Sequence, residues 1–259
     1  MSTGRYIPKE IKREVRRQCG FGCVLCGVPV FHYDHINDFS VVREHTVENL
    51  ALLCPTHHQN KTSGRLPREK VAKARENPYN LSRPRTSPDR WYFSGAEFHF
   101  MIGTNAYLFN FEDAKEGGTS RSAIRINGQD VFRVDMLDGE ILLSAMFHDK
   151  VGRLILLVEQ GEVVVSTRVF DYDIKGRHLT ISDLDGGKLL DLHKLDDGIE
   201  VRRGFFQYEG TSLVIIPEEI VMQPMNARLS GTRFEYCMVG VNVNGPRMPR
   251  AANDFLFQV

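Results

Sequence analysis

Four metal-ligand residues occur as two pairs of matched spacing near the start of the chain. Cys23 and Cys26 are separated by two residues, Cys54 and His57 repeat that spacing, and 27 residues lie between the pairs. Thiolates and imidazoles paired in this way are typical ligands of a tetrahedral structural zinc ion. The alternative is buried cysteines beside a surface histidine, and the coincidence of both spacings argues against it. Cys19 is a competing ligand by type, but the paired geometry does not include it.

A second group of polar residues lies between and just after these pairs. Asp34 and His35 are adjacent, Asn49 follows in the chain, and His58 comes directly after the last zinc-type residue. Hydrolysis of a phosphodiester needs an activated water, a cation beside the phosphate and a group that orients the base. A neutral histidine is a natural general base, and a carboxylate with an imidazole can hold one divalent ion. These residues therefore predict a hydrolytic site. The four zinc-type residues, Cys23, Cys26, Cys54 and His57, are called the cage, and they are predicted to stabilise this site.

The elements that must position these residues are short. A helix is predicted over 8–18, strand-like composition covers 30–35, and a helix carrying His58 is predicted to begin at Pro55. Residues 36–48 are predicted to be a polar loop, and another helix is predicted over 67–76. Tight turns around the first cysteine pair are expected because glycines flank it.

Charge and composition divide the chain near residue 90. Residues 1–90 carry 16 Lys and Arg against 9 Asp and Glu, a net of +7, and the remainder carries −7. We therefore predict a first unit at 1–76, a Pro/Arg-rich linker at 77–90 and a second unit at 91–259. Short apolar runs between Gly- and Asp-containing turns predict that the second unit is mainly β, without choosing between a sandwich, a barrel and stacked hairpins.

The stretch from Cys23 to Thr62 contains CVLC, YDHI, ENLALLC and PTHHQNKT, and in this combination it resembles the HNH endonucleases. The resemblance covers about a sixth of the chain. It implies a two-stranded hairpin and a helix around one catalytic metal, flanked by a structural zinc. The predicted fold class is therefore α+β, with an N-terminal HNH ββα-metal nuclease domain followed by a mainly β C-terminal domain.

The resemblance also implies a role for each matching residue. His35 corresponds to the general base, Asp34 and His58 to ligands of a catalytic Mg²⁺ or Mn²⁺, and Asn49 to the catalytic-site residue that orients the base or its loop. The two matched pairs correspond to the structural Zn²⁺ set. The family more often has cysteine where His57 stands, so an exchange of roles between His57 and His58 stays open.

Basic residues near this stretch are candidates for nucleic-acid binding. Lys61 follows His58 by three residues on the same predicted helix, and Arg65, Arg16 and Arg17 are further candidates for phosphate contacts. A solvent-facing role is the alternative for each of them. DNA is the expected partner, with RNA as an open alternative.

These observations favour a metal-dependent DNA endonuclease, with restriction or phage defence as a role in which the β half aims or gates cleavage. The alternative hypothesis is a zinc-stabilised nucleic-acid-binding module without catalysis, with the β half as the functional unit. That half is predicted to serve recognition, regulation or oligomerisation, through a ligand or a homodimer. Five cysteines and no apolar leader make the cytoplasm the expected location.

Overall fold

A computed structural model describes residues 6–112, 118–166, 170–183 and 186–245. The first part of the chain is a two-stranded antiparallel hairpin surrounded by helices. Its elements are α1 (Lys9–Gln18), β1 (His32–His35), α2 (Phe39–Val42), β2 (Leu50–Leu53), α3 (Pro55–Thr62) and α4 (Arg68–Glu76). The predicted helices and the strand-like segment are present. The predicted polar loop 36–48 also contains the short helix α2.

The hairpin of the first part is covered by α1, α3 and α4. All four residues of β2 are buried, because this strand lies between the helices and faces apolar side chains on both sides. Val15 of α1 and Val71 of α4 are fully buried in the same cluster. The cluster is small, and two of its members are the cage residues Cys23 and Cys54.

From Trp91 onward the described residues form two sheets, so the prediction of a mainly β second half is confirmed. The strands are β3 (Trp91–Tyr92), β4 (Glu97–Ile102), β5 (Asn105–Asn110), β6 (Thr119–Ile126), β7 (Gln129–Leu137), β8 (Glu140–His148), β9 (Leu154–Glu159), β10 (Glu162–Ser166), β11 (Phe170–Lys175), β12 (His178–Asp183), β13 (Lys188–Lys194), β14 (Gly198–Tyr208), β15 (Thr211–Ile215), β16 (Ile220–Gln223), β17 (Ala227–Leu229), β18 (Arg233–Phe234) and β19 (Val239–Val243).

One sheet has the order β10-β9-β8-β7-β6-β19, with β3 paired to β8. The other has the order β11-β12-β13-β14-β15-β16-β17, and β4, β5 and β18 join it beside β14. Most neighbours are consecutive antiparallel strands, whereas β4 with β14, β18 with β5 and β19 with β6 are parallel. The two sheets share one apolar core. In this core the Phe206 ring of β14 stacks on Phe132 and Phe147 of the facing sheet, with centroids 5.7 and 5.2 Å away.

The segment 77–90, which the sequence predicts to be a linker, lies against both halves. Its Asn80 is buried, and the side-chain amide donates to the carbonyls of Gly20 and Gly27 at 2.9 Å each. Ser87 Oγ donates to the Cys26 carbonyl at 2.6 Å. On the other side, the amide of Asp89 donates to the Gly161 carbonyl in the β half. The segment is therefore fastened at both ends instead of forming a free tether.

A buried arginine also joins the two halves. Arg16 of α1 donates to both carboxylate oxygens of Asp171 in β11, at 2.9 and 2.5 Å, and to the Tyr33 hydroxyl at 2.5 Å. Asp173 lies 3.7 Å from the same guanidinium. Among the described residues, no helix combines the length and the apolar character that crossing a bilayer would require.

Candidate metal and nuclease site

The four zinc-type residues converge in the structure. Their ligand atoms lie within 4.8 Å of one another. The first pair sits on a tight turn in which the Gly27 amide donates to the Cys23 carbonyl at 2.7 Å, and Gly27 has a φ of +76° that favours glycine. The second pair lies at the start of α3, where Cys54 precedes the helix and His57 is in its first turn.

The distances within this group fit a tetrahedral zinc ion. Zinc–sulfur bonds of about 2.3 Å at a tetrahedral angle place two sulfurs about 3.8 Å apart. Cys26 Sγ and Cys54 Sγ are 3.8 Å apart, and His57 Nδ1 is 3.4 Å from Cys23 Sγ and 3.2 Å from Cys54 Sγ. The residues present therefore fit Zn²⁺. His57, and not His58, is the histidine that faces the thiols.

The thiols of this cage interact strongly with one another. A hydrogen bond from Cys26 lowers the pKa of the Cys23 thiol, and the same contact raises the pKa of Cys26. Burial raises the pKa of Cys19 to about 11, and this residue lies outside the ligand group. The structure thus keeps Cys19 as a buried core side chain outside the group of four ligands.

The hairpin and α3 bring the second predicted group together. Asp34 and His35 lie on β1, paired with Ala51 and Leu50 of β2. From α3, His58 Nε2 comes to 3.6 Å from Asp34 Oδ1. Two ligands bound to one small divalent ion at about 2.1 Å are separated by roughly 3.0 to 3.6 Å, so this pair can share an ion.

Lys61 of α3 is turned inward toward the same carboxylate. Its ammonium lies 2.8 Å from Asp34 Oδ2 and donates to the His35 carbonyl at 2.7 Å. The approach to Oδ2 does not have hydrogen-bond geometry, and Oδ2 is a buried oxygen without a hydrogen-bond partner. The Lys61 ammonium therefore compensates the charge on the Oδ2 side of the carboxylate, and Oδ1 is the oxygen that faces His58.

His35 is half-buried, and its imidazole contacts a second histidine. Its Nε2 is 3.0 Å from Nδ1 of His45, and the His45 ring stacks on Phe39 with centroids 4.6 Å apart. Burial lowers the pKa of His35, and the nearby charge of His45 lowers it further by a smaller amount. A histidine with a lowered pKa is neutral at physiological pH, which is the form that accepts a proton.

Asn49 closes the loop that follows His35. Its side-chain oxygen accepts from the Asn37 amide at 2.8 Å, and its amide donates to the Asn37 carbonyl at 3.0 Å. The Asn49 backbone carbonyl also accepts from the amide of Ile36 at 2.8 Å. Asn49 is buried, and these hydrogen bonds fix the backbone next to His35.

These residues line an open polar cleft of about 530 Å³. Asp34, His35, His58 and Lys61 are on its wall, together with Arg68. Asp38, 3.3 Å from Arg68, is a second carboxylate on the wall, and an open cleft with two imidazoles and two cations can accept a phosphodiester and leave room for water.

The predicted nucleic-acid contacts separate into two groups. Arg65 is exposed, and Arg17 is half exposed with its guanidinium 2.8 Å from Glu14. Arg16 requires a correction, because its side chain is only 7% exposed and is paired with Asp171. It fastens α1 to the β half and is not available to a phosphate.

His45 is the site residue that the sequence did not indicate. It lies ten residues after His35, in a loop that Asn49 pulls back onto the hairpin. The sequence signal for His45 was its place in the loop between His35 and Asn49. Because Asn49 binds the backbone just after His35, this loop must fold back beside the end of β1.

Residues 19–64 match the family model described as HNH endonuclease. The match spans the cage, both strands of the hairpin and α3, so residues 19–64 form an HNH endonuclease domain, and the chain is of mixed α+β class. Neither the curated proteins nor the solved structures contain a match to this chain.

Proposed function

We propose that this protein is a metal-dependent endonuclease that hydrolyses phosphodiester bonds of DNA. The observation that supports it most directly is the 3.6 Å separation of Asp34 Oδ1 and His58 Nε2, on one wall of an open cleft that also contains His35. A site that only bound nucleic acid would have no need for a buried carboxylate, an imidazole and a neutral base side by side.

His35 acts as the general base in this proposal. In the tautomer whose Nε2 donates to His45, its Nδ1 carries the lone pair and removes a proton from the attacking water. Asn49 holds the backbone after His35, and Lys61 anchors its carbonyl, so the imidazole is fixed before substrate binds.

Two metal ions belong to the proposal. Zn²⁺ is held by the four cage residues and is structural, because all its positions are filled by protein ligands. Mg²⁺ or Mn²⁺ is held by Asp34 and His58, and when bound it neutralises charge at the phosphate and the leaving oxygen. Lys61 then contributes a second positive charge on the Oδ2 side of the carboxylate.

The nucleic-acid surface is the basic face around the cleft. Arg65 and Arg17 are accessible to phosphates, and Arg68 lies on the cleft wall. The net charge of +7 over residues 1–90 attracts a polyanion without regard to base sequence. The β half, with a net charge of −7, is proposed to aim or gate cleavage, as in restriction or phage defence in the cytoplasm, through a bound ligand or a second copy of the chain.

The test is cleavage of supercoiled plasmid by the full chain with Mg²⁺, Mn²⁺ or EDTA. We expect nicking only with a divalent ion, and a loss of at least about 100-fold in rate for His35→Ala because the general base is missing. His99→Ala is the matched control, since His99 also faces a carboxylate, Asp197 at 2.9 Å, but lies in the β half.

Two outcomes would contradict the proposal. Full cleavage by His35→Ala, with unchanged zinc content, would remove His35 from the mechanism. Plasmid binding without any cut in all metals would favour the non-catalytic binding module.

A further inference from the structure

A second cluster of metal-ligand side chains lies in the β half, far in sequence from the nuclease residues. His178 of β12 and His193 of β13 are direct cross-strand partners, and Asp191 precedes His193 by two residues on the same strand. Side chains at positions i and i+2 of a strand point to the same face, so the register places all three on one surface of the sheet.

The opposite face of the same two strands is buried. Leu179 and Leu192 are neighbours of this trio in sequence, and they are 5% and 0% exposed in the core. The alternation of apolar and polar residues therefore fixes which way the histidines point, because a slip of one residue would bury them. The trio does not depend on a flexible loop.

The ligand atoms of the trio converge on one point. His178 Nε2 is 2.8 Å and His193 Nε2 is 3.5 Å from the same oxygen, Asp191 Oδ1. The two imidazoles stack with centroids 4.1 Å apart, and the three ligand atoms lie within 4.8 Å of one another. Donors around one ion with bonds near 2.1 Å are separated by roughly 3 to 3.6 Å, so small side-chain rotations bring all three into range.

The surroundings leave space for further ligands. Of the trio, His178 lines a hollow of about 230 Å³, whose other lining residues are Thr180, Ser182 and the charged residues Asp171, Asp173, Lys175 and Lys188. All three side chains of the trio are 20 to 37% exposed. On the neighbouring strand, the carboxylate of Glu200 is engaged by Arg202 at 2.8 Å, so Asp191 is the carboxylate that serves the two histidines.

We propose that His178, Asp191 and His193 bind one divalent transition-metal ion of the zinc class. Two imidazoles and one carboxylate suit Zn²⁺, Co²⁺ or Ni²⁺ better than Mg²⁺ or Ca²⁺, which prefer oxygen ligands. The three protein ligands are partly exposed and leave coordination positions open to solvent, so water or a small anion completes the site. This proposal is independent of the proposed nuclease function.

The experiment counts metal ions in the full chain. The protein is equilibrated with micromolar free Zn²⁺, and bound zinc is measured by elemental analysis for the natural chain, His178→Gln, His193→Gln and the control His99→Gln. Glutamine keeps a hydrogen bond to Asp191 but is a poor metal ligand. We expect the first two variants to bind one ion fewer per chain, with affinity for that ion reduced at least about 100-fold, and the control to match the natural chain.

Co²⁺ provides a second measurement that separates this ion from the cage. Cobalt bound by thiolates has a strong charge-transfer absorption, and cobalt bound at this trio has none. The His178 and His193 variants should therefore lose one cobalt ion and keep the full charge-transfer absorption. Equal zinc counts in His193→Gln and His99→Gln would overturn the proposal. So would the loss of only thiolate-bound cobalt in the His178 and His193 variants.

Discussion

The two halves of this protein are stabilised in different ways. The β half surrounds one large apolar core in which residues such as Phe98, Phe132 and Phe206 are buried between two sheets. The nuclease half has a two-stranded hairpin and a small cluster, in which two of the buried side chains are cage cysteines. A small unit with little core needs another source of folding free energy, and a metal ion bound at the four cage residues would supply it. The comparison indicates that the proposed nuclease site lies in a part of the chain whose apolar core is too small to stabilise it alone.

Loss of the cage is the change with the largest expected effect. In Cys54→Ser the cage loses a thiolate, and structural zinc sites contribute on the order of 10 kcal/mol to folding. We expect the nuclease half to unfold and cleavage to disappear, while the β half keeps its thermal transition. Zinc content, circular dichroism and plasmid nicking measure these effects.

The control for this change is Cys237→Ser, which alters a half-buried cysteine outside the cage. It should retain zinc and activity. If Cys54→Ser also kept both, the nuclease half would not depend on its metal, and the contrast between the halves would be wrong.

The opposite perturbation removes an aromatic side chain from the large core. Phe206→Ala deletes a fully buried ring that stacks on two others, and such truncations cost about 3–5 kcal/mol. We expect the β half to unfold at lower denaturant concentration while bound zinc is retained. Tyr92→Ala, at a position 91% exposed, should change stability by less than about 0.5 kcal/mol. Similar losses in the two variants would contradict this account of the core.

The contact between the halves is tested by Arg16→Met. The substitution leaves Asp171 and Tyr33 without their buried partner, which we expect to cost about 2 kcal/mol because Asp171 is partly exposed. Zinc release monitors unfolding of the nuclease half, and Trp91 fluorescence monitors unfolding of the β half. We expect the two transitions to become less coupled in this variant. Arg17→Met removes a neighbouring exposed arginine and serves as the control. An equal effect of the two substitutions would show that the contact does not couple the halves.

The smallest expected effect is a pH dependence within the β half. Burial lowers the pKa of Lys194 to about 8, although Asp89 opposes this shift. The folded state therefore loses this proton before the unfolded state does, and stability should rise between pH 8 and 10 by roughly 1–2 kcal/mol. Denaturant unfolding at these pH values measures the slope. Lys194→Met should lose it, and an unchanged slope in that variant would assign the effect to other groups.

Local sequence signals predicted the nuclease half well. The two matched spacings place four ligands on a turn and at a helix start, and both features depend on near neighbours such as Gly27 and Pro55. The second strand of the hairpin, β2, followed instead from the family resemblance, which implies a two-stranded hairpin, and all four of its apolar residues are buried.

Long-range contacts were not accessible from the sequence. Arg16 has the appearance of a surface residue on a basic helix, and its partner Asp171 is 155 positions away. Likewise, alternating apolar residues predicted many short strands, but not that β4 would pair in parallel with β14. Pairing between distant strands is decided by how the two sheets cover each other, and no local pattern encodes that. The contact of His45 with His35 depends in the same way on loop closure.

The way segment 77–90 lies on the turn of Cys23 and Cys26 limits how this HNH domain can be recombined with other proteins. A Cβ atom at Gly27 would lie 2.1 Å from Asn80 Oδ1, so the turn and segment 77–90, which forms a strap over it, are in close contact. A fusion junction placed before Asn80 would remove the strap and expose the backbone carbonyls that it covers. Transplanting a working catalytic unit therefore requires carrying the chain through Ser87, well past the last helix.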